Sequence, residues 1–230
     1  MAAPIELLRS AELLADLGES ELRSIANLAN RKHYTARDVV VRQADPGGEM
    51  FIIVSGHLKV VTSDPEGRDS ALNIMGPGQV FGEVTLMDGG PRSATIIALG
   101  DVELLSIRRE PFIQFLETSP GSAIQLLQVL STRLRNLTER ADDIAFLRVG
   151  GRLARAVVKL AEKYGEKRID HSVRIPFKLS QQELGDLVGA TRESANKQVR
   201  GWEQERIVSQ QSGHLVIHDL EALRAHGEGG

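Results

Sequence analysis

Short apolar runs alternate with glycine- and proline-rich turns between Val39 and Ile107. The runs are Val39–Val41, Met50–Val54, Leu58–Thr62, Ala71–Met75, Thr95–Leu99 and Val102–Ile107. Turn signals about every 8–12 residues between short strands are typical of antiparallel sandwiches and barrels. Residues 1–118 are therefore predicted to form a β-barrel domain, with helices only at its start, where leucines follow helical spacing.

Apolar residues recur at alternating intervals of four and three residues in the middle of the chain. They are Ala123, Leu127, Leu130, Leu134, Leu137, Ala141 and Ile144. This heptad repeat is typical of paired helices. A single helix lying on its own barrel would show a similar pattern, but the regular repeat and its charged flanks favour a seam between two subunits. We predict a dimerisation helix over residues 119–147 and a homodimer.

Two short capped helices follow in the last third of the chain. Ser180 and Glu183 form a capping box at the start of the first helix, and Thr191 caps the second. A capped helix, a glycine turn, a second capped helix and then a hairpin, here at residues 207–217, is the order of a winged helix-turn-helix. Residues 148–230 are therefore predicted to form a domain that binds double-stranded DNA.

The second of these helices carries side chains suited to reading base edges. Arg192 and Glu193 lie in its first turn, and recognition helices contact bases with their N-terminal residues. Arginine pairs with guanine, and a carboxylate accepts a hydrogen bond from cytosine. A solvated helix of mixed charge would look alike, but both caps and the hairpin favour DNA binding. The candidate DNA-binding residues are Ser180, Gln181, Thr191, Arg192, Glu193, Asn196, Lys197 and Arg200.

Charge is unevenly distributed along the chain. Residues 1–146 contain 14 basic and 20 acidic residues, whereas residues 147–230 contain 14 basic and 11 acidic residues, for a total net charge of −3. Because nucleic acid is a polyanion, the mildly basic C-terminal part agrees with a DNA partner for that part.

The composition excludes several kinds of chemistry. The chain has no cysteine, which excludes disulfides, cysteine-ligated zinc, iron–sulfur clusters and thiol catalysis. Its six histidines are scattered, which disfavours a haem, another metal site or a cupin-like metalloenzyme. No apolar run approaches the ~20 residues of a membrane helix, and the N-terminus lacks a signal-peptide pattern. We expect a cytoplasmic protein that is not an enzyme, holds no metal and has no membrane partner.

The most specific stretch of the chain lies between the predicted strands, at Phe81–Leu86 and Gly89–Thr95. Arg92 supplies a forked donor suited to a buried phosphate, and glycines allow close approach of backbone amides. Glu83 is a fixed acceptor suited to a ribose hydroxyl. A salt bridge between Glu83 and Arg92 across a turn would explain the same two residues, so the residues alone leave both interpretations open.

Nearly the whole chain resembles the cAMP receptor protein/FNR family of bacterial transcription regulators. Phe-Gly-Glu at 81–83 with Pro-Arg-Ser-Ala-Thr at 91–95 is similar to the phosphate-binding cassette of cyclic-nucleotide-binding domains, and Leu184–Lys197 is similar to the family's helix-turn-helix. The resemblance implies an α+β fold. Its parts are an N-terminal cyclic-nucleotide-binding β-roll of the double-stranded β-helix or jelly-roll type, a long dimerisation helix and a C-terminal winged helix-turn-helix.

The resemblance also implies roles for individual residues, with Glu83 on the ribose hydroxyl and Arg92 on the phosphate. The candidate ligand-binding residues are Gly82, Glu83, Val84, Thr85, Arg92, Ser93, Ala94, Leu137 and Thr138. Leu137 and Thr138 occupy the positions of a Thr-Ser pair that contacts adenine in the cAMP receptor. Since leucine cannot hydrogen-bond the adenine amino group, cAMP and cGMP are both open as the allosteric effector.

These expectations combine into a cyclic-nucleotide-responsive transcription regulator. Binding of cAMP or cGMP in the barrel would reposition two helix-turn-helix units for palindromic promoter DNA. The resemblance implies RNA polymerase as a further partner, with residues 162–171 as a contact region. The alternative is a regulator of the same family that responds to another effector, such as cyclic di-GMP, or that is constitutively active. Oxygen sensing of the FNR type is disfavoured because it needs cysteines.

Overall fold

The computed structural model describes residues 5–15, 17–64, 66 and 69–228, with the backbone alone for residues 69–72 and 140. The chain forms two compact units, Met1–Arg68 with Asn73–Arg135 and Asp69–Leu72 with Asn136–Gly230. Within the described ranges, no helix has the length and apolar character needed to cross a membrane. No group of three or more metal-ligating side chains is found in them either. The three-part domain division made from the sequence stays a prediction.

Antiparallel strands and short helices are formed by the described residues between 5 and 118. In chain order they are α1 (Ile5–Arg9), α2 (Glu19–Leu28), β1 (Asn30–Tyr34), β2 (Val39–Val41), β3 (Glu49–Ser55), β4 (Leu58–Ser63), β5 (Asp69–Met75), β6 (Val80–Phe81), α3 (Glu83–Asp88), β7 (Thr95–Ala98), β8 (Val102–Arg108) and α4 (Arg109–Thr118). The strands form two four-stranded sheets, with the orders β1-β8-β3-β6 and β2-β7-β4-β5. The described pairings within them are antiparallel.

Strand β3 is buried on both faces. Met50 and Ile52 belong to a core shared with α1, α2 and α4, whereas Phe51 and Ile53 belong to a second core shared with the other sheet. Because side chains alternate across a strand, one face of this sheet lines the barrel interior and the other is covered by helices. A continuous apolar run such as Met50–Val54 is the sequence signal of a strand buried in this way.

Helix α3 lies where the sequence predicts only strands and turns, and α4 follows the last predicted strand in a stretch for which no helix is predicted. Helices α3 and α4 have no side-chain N-cap bond in the described structure, so the usual signal of a helix start is missing from the sequence. Helix α4 is stabilised instead by Phe112 and Phe115, which are buried in the core. Strand β1 is also missed, because its residues are mostly polar and it is held by pairing with β8 along its whole length.

A 27-residue helix, α5 (Pro120–Phe146), follows the barrel. Leu126 is buried in the core that the helices share with β3, and Leu130 packs against the same core. Leu127, Leu137 and Ile144 are 62%, 57% and 59% exposed in the single chain. One side of the helix therefore packs on its own unit, while most of the large residues of the heptad repeat remain exposed.

Residues 149–228 form helices around a small sheet. In chain order they are α6 (Val149–Tyr164), β9 (Glu166–Lys167), β10 (Val173–Arg174), α7 (Gln181–Asp186), α8 (Arg192–Gln204), β11 (Val208–Gln211), β12 (His214–Ile217) and α9 (Leu220–Glu228). The sheet order is β11-β12-β10-β9, so the predicted hairpin is the pair β11 and β12. Leu153 and Val157 of α6 are buried, as is Trp202 of α8, which is the single tryptophan of the chain.

Candidate functional site

A left-handed glycine turns the chain from strand β6 into helix α3. Gly82 has a φ of 80°, and Gly89, directly after the helix, has a φ of 71°. This backbone conformation favours glycine because a Cβ would clash with the neighbouring carbonyl. The loop after the helix is fixed to the segment before β3, since the Arg92 N–H donates to the Asp45 carbonyl oxygen over 2.9 Å. Residues 81–95, hereafter the cassette, are thus anchored at both ends.

The Arg92 side chain is buried, with 7% exposed. Its Nη2 donates to the backbone oxygen of Glu49 over 2.7 Å, and its Nη1 to that of Gly82 over 3.4 Å. Burial lowers the pKa of the Arg92 guanidinium from its ordinary value, and the carboxylates of Glu49 and Glu83 oppose that shift. Arginine keeps its proton in proteins. Among the described residues, this buried charge has backbone oxygens as partners and no ion-paired carboxylate.

Two glycines make room for Arg92 and Thr85. A Cβ on Gly82 would lie 2.4 Å from Nη1 of Arg92 and 2.9 Å from the Glu49 oxygen. A Cβ on Gly47 would lie 2.1 Å from Cγ2 of Thr85 and 3.1 Å from Nε of Arg92. Because Thr85 is itself buried, neither glycine can take a side chain without moving a buried neighbour.

Glu83 is the first residue of α3 and is 1% exposed. Its Oε1 accepts a hydrogen bond from Nη1 of Arg133 on α5. Its Oε2 is buried and has no hydrogen-bond partner among the described residues. The salt bridge to Arg92 that the sequence leaves open is not formed, and Arg133 is the ion-pair partner instead. Since a buried acceptor without a donor costs about 1–3 kcal/mol or more, a hydroxyl placed at Oε2 would be stabilising.

Arg133 joins several elements of the first unit at the cassette. Besides Glu83, its guanidinium donates to the backbone oxygen of Val80 and, over 2.9 Å, to Oε1 of Glu12. The sequence does not predict this role, because an arginine beside a heptad repeat looks like an ordinary solvated charge. Its partner Glu83 is 50 positions away in the chain, so only the fold brings the two charges together.

The other predicted ligand-binding residues have varied surroundings. Val84 and Ser93 are exposed, and Ala94 is buried; they lie next to Glu83 and Arg92 in the chain. Leu137 and Thr138 are exposed on α5, in the part of that helix that belongs to the second unit. The structure therefore brings together the glycine, glutamate, threonine and arginine of the cassette. The binding roles of all nine residues stay predictions.

The helix-turn-helix is formed by α7 and α8. Ser180 Oγ accepts a hydrogen bond from the Glu183 N–H over 3.2 Å, and Glu183 Oε2 accepts one from the Ser180 N–H over 2.8 Å, which is a complete capping box. Thr191 Oγ1 accepts from the Ser194 N–H over 3.2 Å at the start of α8. Gly189 makes the turn between the helices with a φ of 63°.

Close packing of the two helices leaves one face of α8 exposed. A Cβ on Gly185 of α7 would lie 2.7 Å from the Ala190 oxygen, and Ala195 and Val199 of α8 are buried. The Oε1 atom of Gln181 is buried without a partner among the described residues, so this predicted DNA contact is only partly accessible. All eight candidates are exposed or partly exposed: Ser180, Gln181, Thr191, Arg192, Glu193, Asn196, Lys197 and Arg200.

Comparison with known proteins gives matches over both units. The cyclic nucleotide-binding domain matches residues 31–119, and the Crp-like helix-turn-helix domain matches residues 151–226. The CRP-like cAMP-activated global transcriptional regulator of Mycobacterium tuberculosis is 29% identical over 218 residues, which cover 95% of this chain and 97% of that protein.

Two solved structures show the same fold. The c-di-GMP-responsive global regulator CLP of Xanthomonas campestris has a TM-score of 0.76 at 24% identity, covering 87% of this chain and 99% of that one. A CRP/FNR-family transcriptional regulator of Thermus thermophilus has a TM-score of 0.73 at 26% identity, covering 86% of this chain and 98% of that one.

A cyclic-nucleotide-binding barrel followed by a winged helix-turn-helix defines a transcription regulator that combines a ligand domain with a DNA-binding domain. The chain belongs to the CRP/FNR family of transcription regulators. The family and the α+β fold expected from the sequence are confirmed, including the cyclic-nucleotide-binding domain and the helix-turn-helix.

Gly82→Ala should destabilise the protein more than the matched variant Gly89→Ala. Both place alanine in a left-handed conformation, which costs roughly 1–2 kcal/mol. A Cβ at Gly89 meets nothing within 4 Å, whereas a Cβ at Gly82 meets Arg92, and such overpacking adds about 1–3 kcal/mol. Urea denaturation followed by circular dichroism measures both free energies of unfolding. Equal losses would contradict the close packing of Arg92 on Gly82.

Proposed function

We propose that this protein is a homodimeric transcription regulator whose binding to promoter DNA is controlled by a cyclic mononucleotide, cAMP or cGMP, held in the barrel. The proposal assigns it no catalytic activity, metal or haem. One observation carries the choice of ligand: the cassette holds a buried guanidinium with backbone oxygens as its described partners and a buried carboxylate oxygen with no described donor. A cyclic nucleotide offers an anionic phosphate and a ribose hydroxyl, which match these two groups.

Arg92 and Glu83 would hold the two polar parts of the nucleotide. Charge-assisted hydrogen bonds from guanidinium to phosphate are among the strongest in proteins. The described hydrogen bonds of the Arg92 side chain go to neutral backbone oxygens, so its positive charge is not paired with a carboxylate among the described residues. Oε2 of Glu83 would accept a hydrogen bond from the ribose 2′-hydroxyl. The further proposed contacts within the cassette are Gly82, Val84, Thr85, Ser93 and Ala94.

Leu137 and Thr138 would set the preference for the base. Thr138 offers a hydroxyl, whereas Leu137 offers an apolar surface that cannot hydrogen-bond a purine edge. Both cAMP and cGMP are therefore included in the proposal. The Mycobacterium tuberculosis relative is a cAMP-activated regulator, which favours cAMP as the first ligand to test.

Arg133 would connect the nucleotide to helix α5. In the structure, Glu83 uses Oε1 for Arg133, so a ribose bound at Oε2 shares one carboxylate with this arginine. A ligand shifts a conformational equilibrium only through a difference in its affinity for the two states. The shared carboxylate of Glu83 is the proposed source of that difference, because it contacts both the ligand and the helix.

Helix α5 is the proposed dimer seam. Leu127, Leu137 and Ile144 of its heptad repeat are large apolar residues that are more than half exposed in the single chain. A row of exposed apolar side chains along one helix is the usual mark of a protein interface. A second copy of α5 would cover this row, which matches the homodimer predicted from the sequence.

The paired helix-turn-helix units would bind a palindromic site. In a two-fold dimer the two α8 helices enter major grooves about one DNA turn, ~34 Å, apart. Arg192 and Glu193 would contact bases, and Lys197 and Arg200 would contact phosphates or guanine. We also propose residues 162–171 as a contact for RNA polymerase, by analogy within the family.

A second candidate is the same regulator with cyclic di-GMP as effector, or with constitutive activity. Leu137 favours it, since the hydroxyl expected to contact adenine is missing at that position. Arg92 and the Glu83 oxygen that has no donor among the described residues favour a mononucleotide instead. Calorimetry of the full chain with cAMP, cGMP and cyclic di-GMP separates the candidates, and gel shifts with each nucleotide test whether it changes DNA binding.

Arg92→Gln should weaken binding of cAMP or cGMP about 10- to 100-fold, because charged hydrogen bonds of about 1.5–3 kcal/mol are lost. Isothermal titration calorimetry measures the change. Arg23→Gln is the matched control: Arg23 is exposed on α2, where it pairs with Glu19, and its loss should leave affinity unchanged. Unaltered affinity in Arg92→Gln would exclude the cassette as the anion site.

Leu127→Glu should convert the dimer to monomer, because a carboxylate would be buried in the proposed seam at a cost of several kcal/mol. Sedimentation velocity measures the mass. Ile169→Glu serves as the control, since Ile169 is fully exposed in the single chain and lies outside α5. A wild-type monomer, or a Leu127→Glu dimer of unchanged affinity, would remove the seam from the proposal.

Arg192→Ala should weaken binding to an operator by about 1–3 kcal/mol and relax the preference at one base pair. Lys197→Ala should weaken binding to operator and random DNA alike, with a smaller salt dependence. The operator is first selected in vitro from a random pool, and gel shifts at two salt concentrations measure both variants. Equal losses on both DNAs for Arg192→Ala would show that it contacts phosphate and not a base.

A further inference from the structure

The backbone oxygen of Glu49 binds Arg92, whereas the carboxylate of Glu49 is paired with a different cation. Nζ of Lys32 is 2.6 Å from Oε2 of Glu49, while Nη2 of Arg92 binds the backbone oxygen of that same glutamate. The side chain of Glu49 therefore pairs with Lys32, while its backbone oxygen accepts a hydrogen bond from Arg92. If Lys32 did not hold the carboxylate, the buried cation open to it would be Arg92, which already binds the backbone of the same residue.

Strand pairing and an aromatic ring bring these cations close together. Lys32 is on β1, which pairs with β8, and β8 pairs with β3, where Glu49 is the first residue. Nζ of Lys32 lies 5.3 Å and the Arg92 guanidinium 5.7 Å from the centre of the Phe51 ring. Phe51 is buried and stacks on Phe81 at 4.9 Å. Both cations thus lie close to one buried ring.

Glu49 already acts on Arg92 from its present position. Its carboxylate raises the pKa of the Arg92 guanidinium against the effect of burial. Both partners of the Lys32–Glu49 pair are about one-third exposed, so the pair itself contributes little to stability. Its position next to the candidate anion site calls for a different role than stabilisation.

We propose that Lys32 is a positioning residue that holds the Glu49 carboxylate away from Arg92 and so keeps the guanidinium available to an anionic ligand. The inference rests on the proposed function for the identity of that ligand and deepens it. Without Lys32, Glu49 becomes an internal competitor for Arg92. A competitor lowers the apparent affinity of a ligand by the fraction of sites it occupies.

Calorimetry of the whole chain with cAMP and cGMP tests this role, because removing the competing charge should restore binding. Lys32→Gln should weaken binding about tenfold, whereas Glu49→Gln should bind at least as well as wild type. The double variant should regain wild-type affinity, because the competing carboxylate is gone, and Lys32→Arg should retain it. Arg31→Gln is the matched control: Arg31 lies next to Lys32 on β1, its ion pair with Glu103 of β8 is lost, and nucleotide affinity should not change.

A crystal structure of Lys32→Gln gives a readout that needs no nucleotide. It should place a Glu49 carboxylate oxygen within about 4 Å of an Arg92 guanidinium nitrogen. A carboxylate that stays away from Arg92, or a Lys32→Gln defect that Glu49→Gln does not rescue, would overturn the inference and leave Lys32 with a structural role.

Failure of the inference differs from failure of the proposed function. If Arg92→Gln loses nucleotide binding while Lys32→Gln binds normally, only the inference is wrong. If wild type binds neither cAMP nor cGMP, the proposed ligands are wrong, and the Lys32→Gln crystal structure still decides the inference.

Discussion

A guanidinium buried without an ion-paired carboxylate among the described residues is the constraint on which the candidate site depends. Removing a charge from water is costly unless hydrogen bonds replace the lost hydration, and for Arg92 the backbone oxygens of Glu49 and Gly82 supply them. Those oxygens come from the first residue of β3 and from the glycine directly after β6, so the two paired strands must meet at this point. The glycine at 82 and the left-handed turn after β6 follow from that close approach.

Local signals in the sequence predict the strands and the helix-turn-helix, because each is marked within a few residues. The run Met50–Val54 and the capping box of Ser180 and Glu183 are examples. The signals fail where stability comes from distant partners, as for strand β1, which is held by β8. The same holds at the site: Arg92 and Glu83 are predicted from their own segment, but the ion pair of Glu83 with Arg133 spans 50 positions.

Helix α5 shows why a heptad repeat alone does not identify its partner. Successive residues of a helix point about 100° apart, so Leu126 and Leu127 face different surroundings. Leu126 is buried and Leu130 packs on the core of its own unit, whereas Leu127 is exposed. The interpretation as a helix lying on its own barrel is therefore met in part by Leu126 and Leu130, whereas the seam between two subunits stays a prediction for the exposed side.

The single tryptophan of the chain has a practical consequence for measuring communication between the units. Trp202 is buried in α8, with its ring centre 6.1 Å from that of His226 on α9. Tryptophan emission therefore arises entirely within the unit that carries the helix-turn-helix, while the cassette lies in the other unit. A spectral change on addition of nucleotide would report transmission from one unit to the other, in the natural protein and without an attached dye.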